Sequence, residues 1–275
     1  MSIFKIGICQ TEILGGAEEN LKGAAGAVAK AADRGADIVV LPEMFVCDFV
    51  PESMRESAEP PEDRIEQALS KMASENHVWL VGGSYPMIAN AADGTPKQSA
   101  GILYNTCPVF DSEGKLAGRY MKRHLFDVDV PGKVKSCESV VFEPGKEMLL
   151  VDTGFVKFGI ALCFDIRFPE LFKEMAQAGA EVIIVPAAFS AGTGPAHWQI
   201  LNRARALDSQ SFVVGVCLAA SEEKRPFNAY GHSCAADPWG LITAEAGASS
   251  EILVFEIDTD RVQEVRKSLP VISVK

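Results

Sequence analysis

The sequence has no excess of positive charge and no long hydrophobic run. Its 275 residues carry 26 Lys and Arg against 37 Asp and Glu, a formal net charge of -11. Such an acidic chain argues against nucleic acid or an anionic membrane as a partner. No run reaches the roughly 18 apolar residues that a membrane span needs, and the N-terminal stretch MSIFKIGICQ lacks the pattern of a secretory signal. We therefore expect a cytoplasmic protein, with a mitochondrial location as the alternative.

Closely spaced cysteines and histidines are also missing. The four histidines form neither H-x-x-x-H nor H-E-x-x-H, and the cysteines never form C-x-x-C. These spacings argue against a dedicated metal site and against a disulfide framework. The cysteines are seven in number, at positions 9, 47, 107, 137, 163, 217 and 234.

The chain does contain a regular alternation of strand and helix patterns. Aliphatic content is high, and aromatic residues make up only 8% of the chain, which suits a globular α/β protein. The patterns predict, in order, a strand at 4–9, a helix at 17–34, a strand at 37–41, a loop at 47–61, a helix ending at 76, a strand at 78–85, a polar surface loop at 90–99 and a hairpin with strands at 101–110 and 115–121.

The second half of the chain repeats the pattern of the first. Two such halves predict an α/β fold in which two sheets pack face to face and helices cover both outer faces. We expect a four-layer αββα sandwich with a pseudo-twofold internal repeat, formed as a single domain over 1–275. The matches, in the same order in both halves, are KIGI at 5–8 with KFGI at 157–160, 34–43 with 178–187, 76–82 with 210–215, and the turn 111–114 with 237–240.

A cysteine at the end of a predicted strand is the first candidate for chemistry. The apolar run 156–162 is typical of a strand buried on both faces, and Pro169 marks the first turn of a helix. Between them, Cys163 lies where open α/β sheets place ligands, near a helix N-terminus that favours a thiolate. Cys163 is thus a candidate nucleophile, or alternatively a buried packing residue. The corresponding strand of the first half ends at Gln10.

Two charged residues at other strand ends are candidate partners. Glu43 follows a buried run where the second half has Ala187, and desolvation there would suit it to general-base work. The alternative is a strand that ends in solvent. Lys122 closes the predicted hairpin, where its charge would stabilise an oxyanion. Arg119 and Arg123 offer the same charge, so composition does not choose among the three.

Three motifs resemble the signatures of the nitrilase superfamily, the carbon-nitrogen hydrolases. They are LPEMF around Glu43, YMKRHLFD around Lys122 and GIALCFDIRFPEL around Cys163, in the family's order and spacing. The similarity extends over nearly the whole chain. It implies an αββα sandwich, a Glu-Lys-Cys triad at these positions and a second glutamate, Glu138, that orients the lysine. It also implies a homodimer or a higher homo-oligomer.

Within the superfamily the sequence is most similar to the omega-amidase branch, through the stretches 124–133, 188–198 and 230–240. That resemblance implies hydrolysis of the terminal amide of α-ketoglutaramate or α-ketosuccinamate through a cysteine thioester. No metal or organic cofactor is expected. Other activities stay open, namely deaminated glutathione amidase, N-carbamoyl amide hydrolase and nitrilase, as does a non-catalytic assembly protein.

The small-molecule substrate is expected to contact aromatic walls and one loop. The walls would include Phe126 and Phe164, and the backbone N–H of Phe164 would be a second oxyanion donor. The loop 189–194 contains Phe189 and Thr193. We predict that these four residues bind the substrate.

Two further residues near the motifs each allow two interpretations. Arg167 is compatible with binding a substrate carboxylate or with a structural ion pair. His197 raises the alternative of a Cys-His protease, against a capping or packing role for this histidine.

Overall fold

Runs of β-branched and other aliphatic residues form the central strands of the protein. The computed structural model describes residues 3–89, 101–221 and 225–272, so the predicted polar loop at 90–99 lies outside the described residues. The first half contains β1 (Ile3–Gln10), α1 (Ala17–Asp33), β2 (Ile38–Val40), α2 (Pro51–Glu56), α3 (Arg64–Asn76), β3 (Trp79–Val81), β4 (Tyr85–Ile88), β5 (Leu103–Phe110) and β6 (Leu116–Met121).

The second half follows with a similar succession of elements. It contains β7 (Asp127–Val130), β8 (Val134–Cys137), β9 (Leu149–Asp152), β10 (Lys157–Ile160), α4 (Pro169–Gln177), β11 (Val182–Ala187), α5 (Gly194–Ser209), β12 (Phe212–Cys217), β13 (Cys234–Ala236), β14 (Ile242–Glu245), β15 (Glu251–Asp258) and α6 (Asp260–Ser268).

The strands form two large sheets of matching topology. The first has the order β15-β1-β2-β3-β5-β4, with β6 also paired to β5, and the second has the order β14-β13-β12-β11-β10-β9. In each sheet three central strands run parallel, and an antiparallel strand flanks them on either side. The flanking strand β15 comes from the second half of the chain and pairs with β1. The two halves are therefore tied together through a shared sheet.

Helices cover the outer faces of the sandwich. Helices α1 and α3 pack on the first sheet, α5 packs on the second, and β1 contacts β12 between the sheets. This arrangement confirms the predicted αββα sandwich. That residues 1–275 form one hydrolase domain stays a prediction. Within the described residues no helix has both the length and the apolar character to span a membrane.

Backbone geometry bears out the internal repeat. Gly7 pairs with Val39 in the first sheet as Gly159 pairs with Ile183 in the second. This register aligns Cys163 with Thr11, one residue beyond the predicted Gln10. Left-handed backbone recurs at matching sites, because a helix ends or a turn closes there in both halves. The matching pairs are Gly35 with Gly179, His77 with Gln210, and Gly114 with Gly240.

Two of the predicted boundaries were wrong. The segment 47–61 is not a continuous loop, since α2 begins there at Pro51, a residue suited to a first helical turn. The predicted strand 78–85 is divided into β3 and β4 by Gly82-Gly83-Ser84. Gly83 has φ of +64°, and a Cβ there would lie 2.2 Å from the carbonyl oxygen of Pro42. The strand is therefore interrupted where the backbone passes close to Pro42, the residue before Glu43.

Candidate active site

Four loop segments at strand ends bring the predicted catalytic residues together. Glu43 follows β2, Lys122 follows β6, Glu138 follows β8, and Cys163 opens a short 3-10 helix that follows β10. All four are buried, and Cys163 retains 6% exposure. Side chains that are far apart in sequence therefore meet in one enclosed site.

Lys122 lies between two carboxylates. Its Nζ is 2.8 Å from Glu43 Oε1 and 2.7 Å from Glu138 Oε2. Burial alone would lower the pKa of Lys122, but the charges of Glu138 and Glu43 outweigh it and raise that pKa. Burial also raises the pKa of Glu138, in spite of the opposing effect of Lys122. The two carboxyl groups therefore favour the charged form of Lys122.

Backbone donors also hold both carboxylates. Ala188 N donates to Glu43 Oε2 at 2.8 Å, and Phe126 N donates to Glu138 Oε2 at 2.7 Å. Ala188 follows β11, the counterpart of the strand that carries Glu43. The second half of the molecule thus orients a carboxylate that belongs to the first.

Cys163 has a left-handed backbone conformation, with φ of +42°. Burial and the Glu43 carboxylate raise the pKa of its thiol well above the usual range, although Lys122 acts in the opposite direction. Burial and Glu43 therefore favour the neutral thiol, in the opposite direction to the predicted helix N-terminus. The Glu43 carboxylate therefore interacts directly with the electrostatics of the thiol.

A small cavity opens beside the sulfur. Cys163 forms part of its wall. The four predicted substrate-binding residues, Phe126, Phe164, Phe189 and Thr193, all line this cavity, together with Arg167, Ala188 and Ser190. That the four residues bind substrate stays a prediction. A larger surface groove lies beside α1 and contains none of the predicted catalytic residues.

A known protein family matches nearly the whole chain. The sequence profile described as carbon-nitrogen hydrolase matches residues 5–267. The chain belongs to this family. It is similar to "Omega-amidase NIT2" from Mus musculus and from Homo sapiens, each 38% identical over all of this chain and 96% of the relative.

Two solved structures share the fold of this carbon-nitrogen hydrolase. Saccharomyces cerevisiae Nit3, described as a member of branch 10 of the nitrilase superfamily, superposes with a TM-score of 0.87 at 33% identity. That match covers 98% of this chain and 95% of Nit3. The Caenorhabditis elegans NitFhit protein superposes with a TM-score of 0.85 at 30% identity, over 100% of this chain and 65% of that one.

Arg167 points a guanidinium at the aromatic walls of the hydrolase cavity. The group lies 5.7 Å from the Phe164 ring centroid and 5.2 Å from that of Phe189. Burial lowers the pKa of Arg167. Within residues 3–89, 101–221 and 225–272 it makes no ion pair, and its side-chain hydrogen bonds go to the ring of His197 at 3.3 Å. The alternative of a structural ion pair is thus not borne out among these residues.

The ring of His197 pairs with Arg167 rather than with Cys163. Burial, followed by the nearby charge of Arg167, lowers the pKa of His197. The Cys163 thiol is influenced by Glu43 and Lys122, and His197 is not among the groups that shift its pKa. His197 is exposed and pairs with Arg167, and this geometry argues against the Cys-His alternative.

Sequence reasoning missed Asp165, which organises the turn around Cys163. Its buried carboxylate accepts from Leu162 N at 2.8 Å and from Tyr120 Oη at 2.7 Å. It also accepts from His124 N at 3.0 Å and lies 2.7 Å from His124 Nδ1. Asp165 therefore links the turn at Cys163 to the segment that carries Lys122. The only sequence signal was a charged residue within an apolar motif.

Asn105 is the second residue that the sequence did not indicate. It lies on β5, and its carbonyl oxygen accepts from Lys122 N at 2.9 Å, which extends the ladder between β5 and β6. Its side chain reaches both carboxylates of the site. An asparagine within a strand has no distinctive spacing, so only the cross-strand register reveals the contact.

Proposed function

We propose that this protein is an omega-amidase that converts small ω-amido keto acids, such as α-ketoglutaramate and α-ketosuccinamate, to the dicarboxylate and ammonia. The proposal rests on one observation: a cavity whose wall carries both Cys163 and Arg167, a cation without an acidic partner among the described residues. The names of the mouse and human relatives support the same substrate class.

The first half-reaction forms a thioester. Cys163 Sγ attacks the amide carbon while Glu43 accepts the thiol proton, and the carbonyl π pair moves onto oxygen. Lys122 and the Phe164 N–H stabilise the resulting oxyanion. The oxyanion then re-forms the carbonyl, the C–N bond breaks, and Glu43 returns the proton to the departing ammonia.

The second half-reaction releases the acid. Glu43 removes a proton from a water molecule as the water attacks the thioester carbon, and Lys122 again holds the oxyanion. The C–S bond breaks, and the proton on Glu43 returns to the thiolate of Cys163. This order uses Glu43 twice and leaves Lys122 charged throughout. Glu138 acts on Lys122, which it contacts at 2.7 Å, and keeps the ammonium in place.

The far end of the cavity suits a carboxylate. The guanidinium of Arg167 supplies planar donors that match a carboxylate group. Thr193 is 7% exposed and precedes the first residue of α5, whose N-terminal dipole favours an anion. The substrate carboxylate would lie near Arg167 and Thr193, with its amide against Cys163.

Replacement of the nucleophile tests the reaction. Cys163→Ala should abolish ammonia release from α-ketoglutaramate and leave the thermal unfolding transition in place. Cys234→Ala is the matched control, because Cys234 is also a buried free thiol but lies in β13, away from the cavity lining. Substantial turnover by Cys163→Ala would refute the mechanism.

A panel of substrates tests the activity. Ammonia or product release is measured with α-ketoglutaramate, α-ketosuccinamate, a deaminated glutathione, an N-carbamoyl amide and a nitrile. We expect the two keto acid amides to give the highest kcat/KM. A preference for another member would replace the proposed substrate but retain the triad chemistry. No turnover of any member, with every thiol slow toward iodoacetamide, would favour a non-catalytic assembly protein.

Arg167 should determine recognition of the substrate carboxylate. Arg167→Met should raise KM for α-ketoglutaramate by about tenfold to a hundredfold, since a charge-assisted hydrogen bond is worth roughly 1.5–3 kcal/mol. Arg203→Met is the control, because Arg203 lies on α5 and donates to the carbonyl of Gly240 rather than facing the cavity. An unchanged KM in Arg167→Met would place the carboxylate elsewhere.

A homodimer is proposed on a patch of exposed apolar side chains. Ile200 is 63% exposed and Leu207 47% on α5, while Trp239 and Leu241 are 50% and 55% exposed in the turn before β14. Light scattering after gel filtration should give twice the 29.5 kDa chain mass, and Leu207→Glu should shift the protein toward monomer. A cytoplasmic location, with the mitochondrion as the alternative, stays a prediction.

A further inference from the structure

Asn105 connects the two carboxylates of the site. Its Nδ2 donates to Glu43 Oε1 and to Glu138 Oε1, at 2.9 Å in both cases. Glu43 Oε1 also accepts from Lys122, so the amide and the ammonium converge on the same oxygen. Glu43, Glu138, Lys122 and Asn105 therefore form a closed ring of hydrogen bonds.

The orientation of the amide follows from its surroundings. An amide nitrogen carries two protons, and in Asn105 both find carboxylate acceptors. The flipped amide would turn its oxygen toward two carboxylates and lose both bonds, so the network assigns the nitrogen to this side. Asn105 is fully buried, and its Oδ1 accepts no hydrogen bond from any described residue. A buried acceptor without a donor costs free energy.

This free-energy cost argues against a purely structural role for Asn105. A leucine of similar shape would fill the same space without an unsatisfied oxygen, but it would leave both carboxylates with one donor fewer. A lysine or arginine would donate to both carboxylates, but a second cation would cancel the charge that Glu43 needs to accept a proton. A neutral group with two protons on one atom meets both requirements.

We propose that Asn105 is a positioning residue, which fixes Glu43 and Glu138 on either side of Lys122 so that Glu43 faces the sulfur of Cys163. The inference rests on the proposed function only in taking Glu43 as the base. Asn105 does not line the cavity and so does not touch substrate. Its loss should thus lower kcat and leave KM nearly unchanged.

The pH dependence gives a second readout. Glu138 is faced by Lys122, Glu43, Asn105 and the Phe126 N–H. The hydrogen bond from Asn105 lowers the pKa of Glu138, so its removal should raise that pKa further. Because protonation of Glu138 weakens its hold on Lys122, the acidic limb of the kcat profile should move to higher pH.

The test compares Asn105→Leu with Asn202→Leu. Asn202 is also fully buried and also has an unsatisfied Oδ1, but it lies on α5, where its Nδ2 donates to Trp198 O at 2.9 Å. Asn105→Leu should lower kcat by roughly tenfold to a hundredfold, the range seen when partners that orient metal ligands are removed. It should change KM less than about threefold and shift the acidic limb. Asn202→Leu should keep the wild-type kcat per folded molecule and the wild-type limb.

Equal kcat values and an unshifted limb in the two variants would overturn the proposal, as would a loss confined to KM. Asn105→Ser keeps one donor and is compared in the same way if the leucine variant does not fold. The assay uses whichever amide the wild-type enzyme hydrolyses fastest. Failure with α-ketoglutaramate therefore contradicts the proposed substrate alone, whereas wild-type kcat in the Asn105 variants contradicts this inference alone.

Discussion

Two positively charged side chains at strand β6, Lys122 and Arg119, lie in different surroundings. Tyr120 on β6 contacts Asp165, and Lys122, which directly follows the strand, contacts the carboxylates of Glu43 and Glu138. Arg119 turns outward and makes two hydrogen bonds of 2.7 Å with Glu66 on α3. Alternation along the extended chain thus directs Lys122 to the two buried carboxylates and Arg119 to helix α3.

The two clusters differ in how the charge is balanced. Lys122 has two anionic partners and no exposed side-chain surface, whereas the Arg119 side chain is 22% exposed. Glu66 accepts a further bond from Tyr85 Oη at 3.0 Å. Removal of Lys122 would leave two buried carboxyl groups, those of Glu43 and Glu138, without their shared cation. Removal of Arg119 leaves Glu66 with two other donors, Tyr85 Oη and Glu62 N.

The largest expected effect comes from Lys122→Met set beside Arg119→Met. Lys122→Met should abolish amide hydrolysis and lower the free energy of unfolding by about 3–5 kcal/mol, because a buried partner is removed. Arg119→Met should lower it by about 1–3 kcal/mol and leave kcat unchanged. Urea denaturation and steady-state kinetics measure both quantities. Loss of kcat in folded Arg119→Met would contradict the division between the faces.

The contribution of Glu66, the partner of Arg119, to stability should depend on pH. Burial alone would raise the pKa of Glu66, but the hydrogen bonds from Arg119 and Glu62 N, the Arg119 charge and the Tyr85 bond together lower it. A carboxyl whose folded pKa is lowered contributes stability above its unfolded value, about 4.3, and loses that contribution as pH falls through the folded pKa.

Glu66→Gln should therefore be less stable than wild type by about 1–3 kcal/mol at neutral pH, with kcat retained. The difference in unfolding free energy should shrink steadily as the pH falls below about 4.3. Urea titrations across this interval provide the measurement. If the difference in unfolding free energy stays constant down to acid pH, Glu66 acts through packing rather than through its charge.

The contrast also shows which features the sequence could reveal. The repeat, the hairpin and the strand ends that carry Glu43 and Cys163 follow from local patterns, and each was found at its expected place apart from small boundary shifts. The choice among Arg119, Lys122 and Arg123 depended on which face of β6 meets which element, and composition does not encode that. Asn105 and Asp165 act through pairings between distant segments. Only the cross-strand and inter-loop contacts identify them.

Arg123 should give the smallest effect of the three cations. It pairs with Glu174 on α4 at 2.9 Å, but the two side chains are 27% and 51% exposed. Exposed pairs of this kind contribute about 0–1 kcal/mol, and salt screens them further. Arg123→Ala should thus lower the free energy of unfolding by less than about 1 kcal/mol, with the difference fading in 1 M salt. Since Arg123 directly follows Lys122, a large loss of kcat in this variant would mean that the neighbouring ammonium depends on the outer ion pair, and that the faces of β6 are coupled.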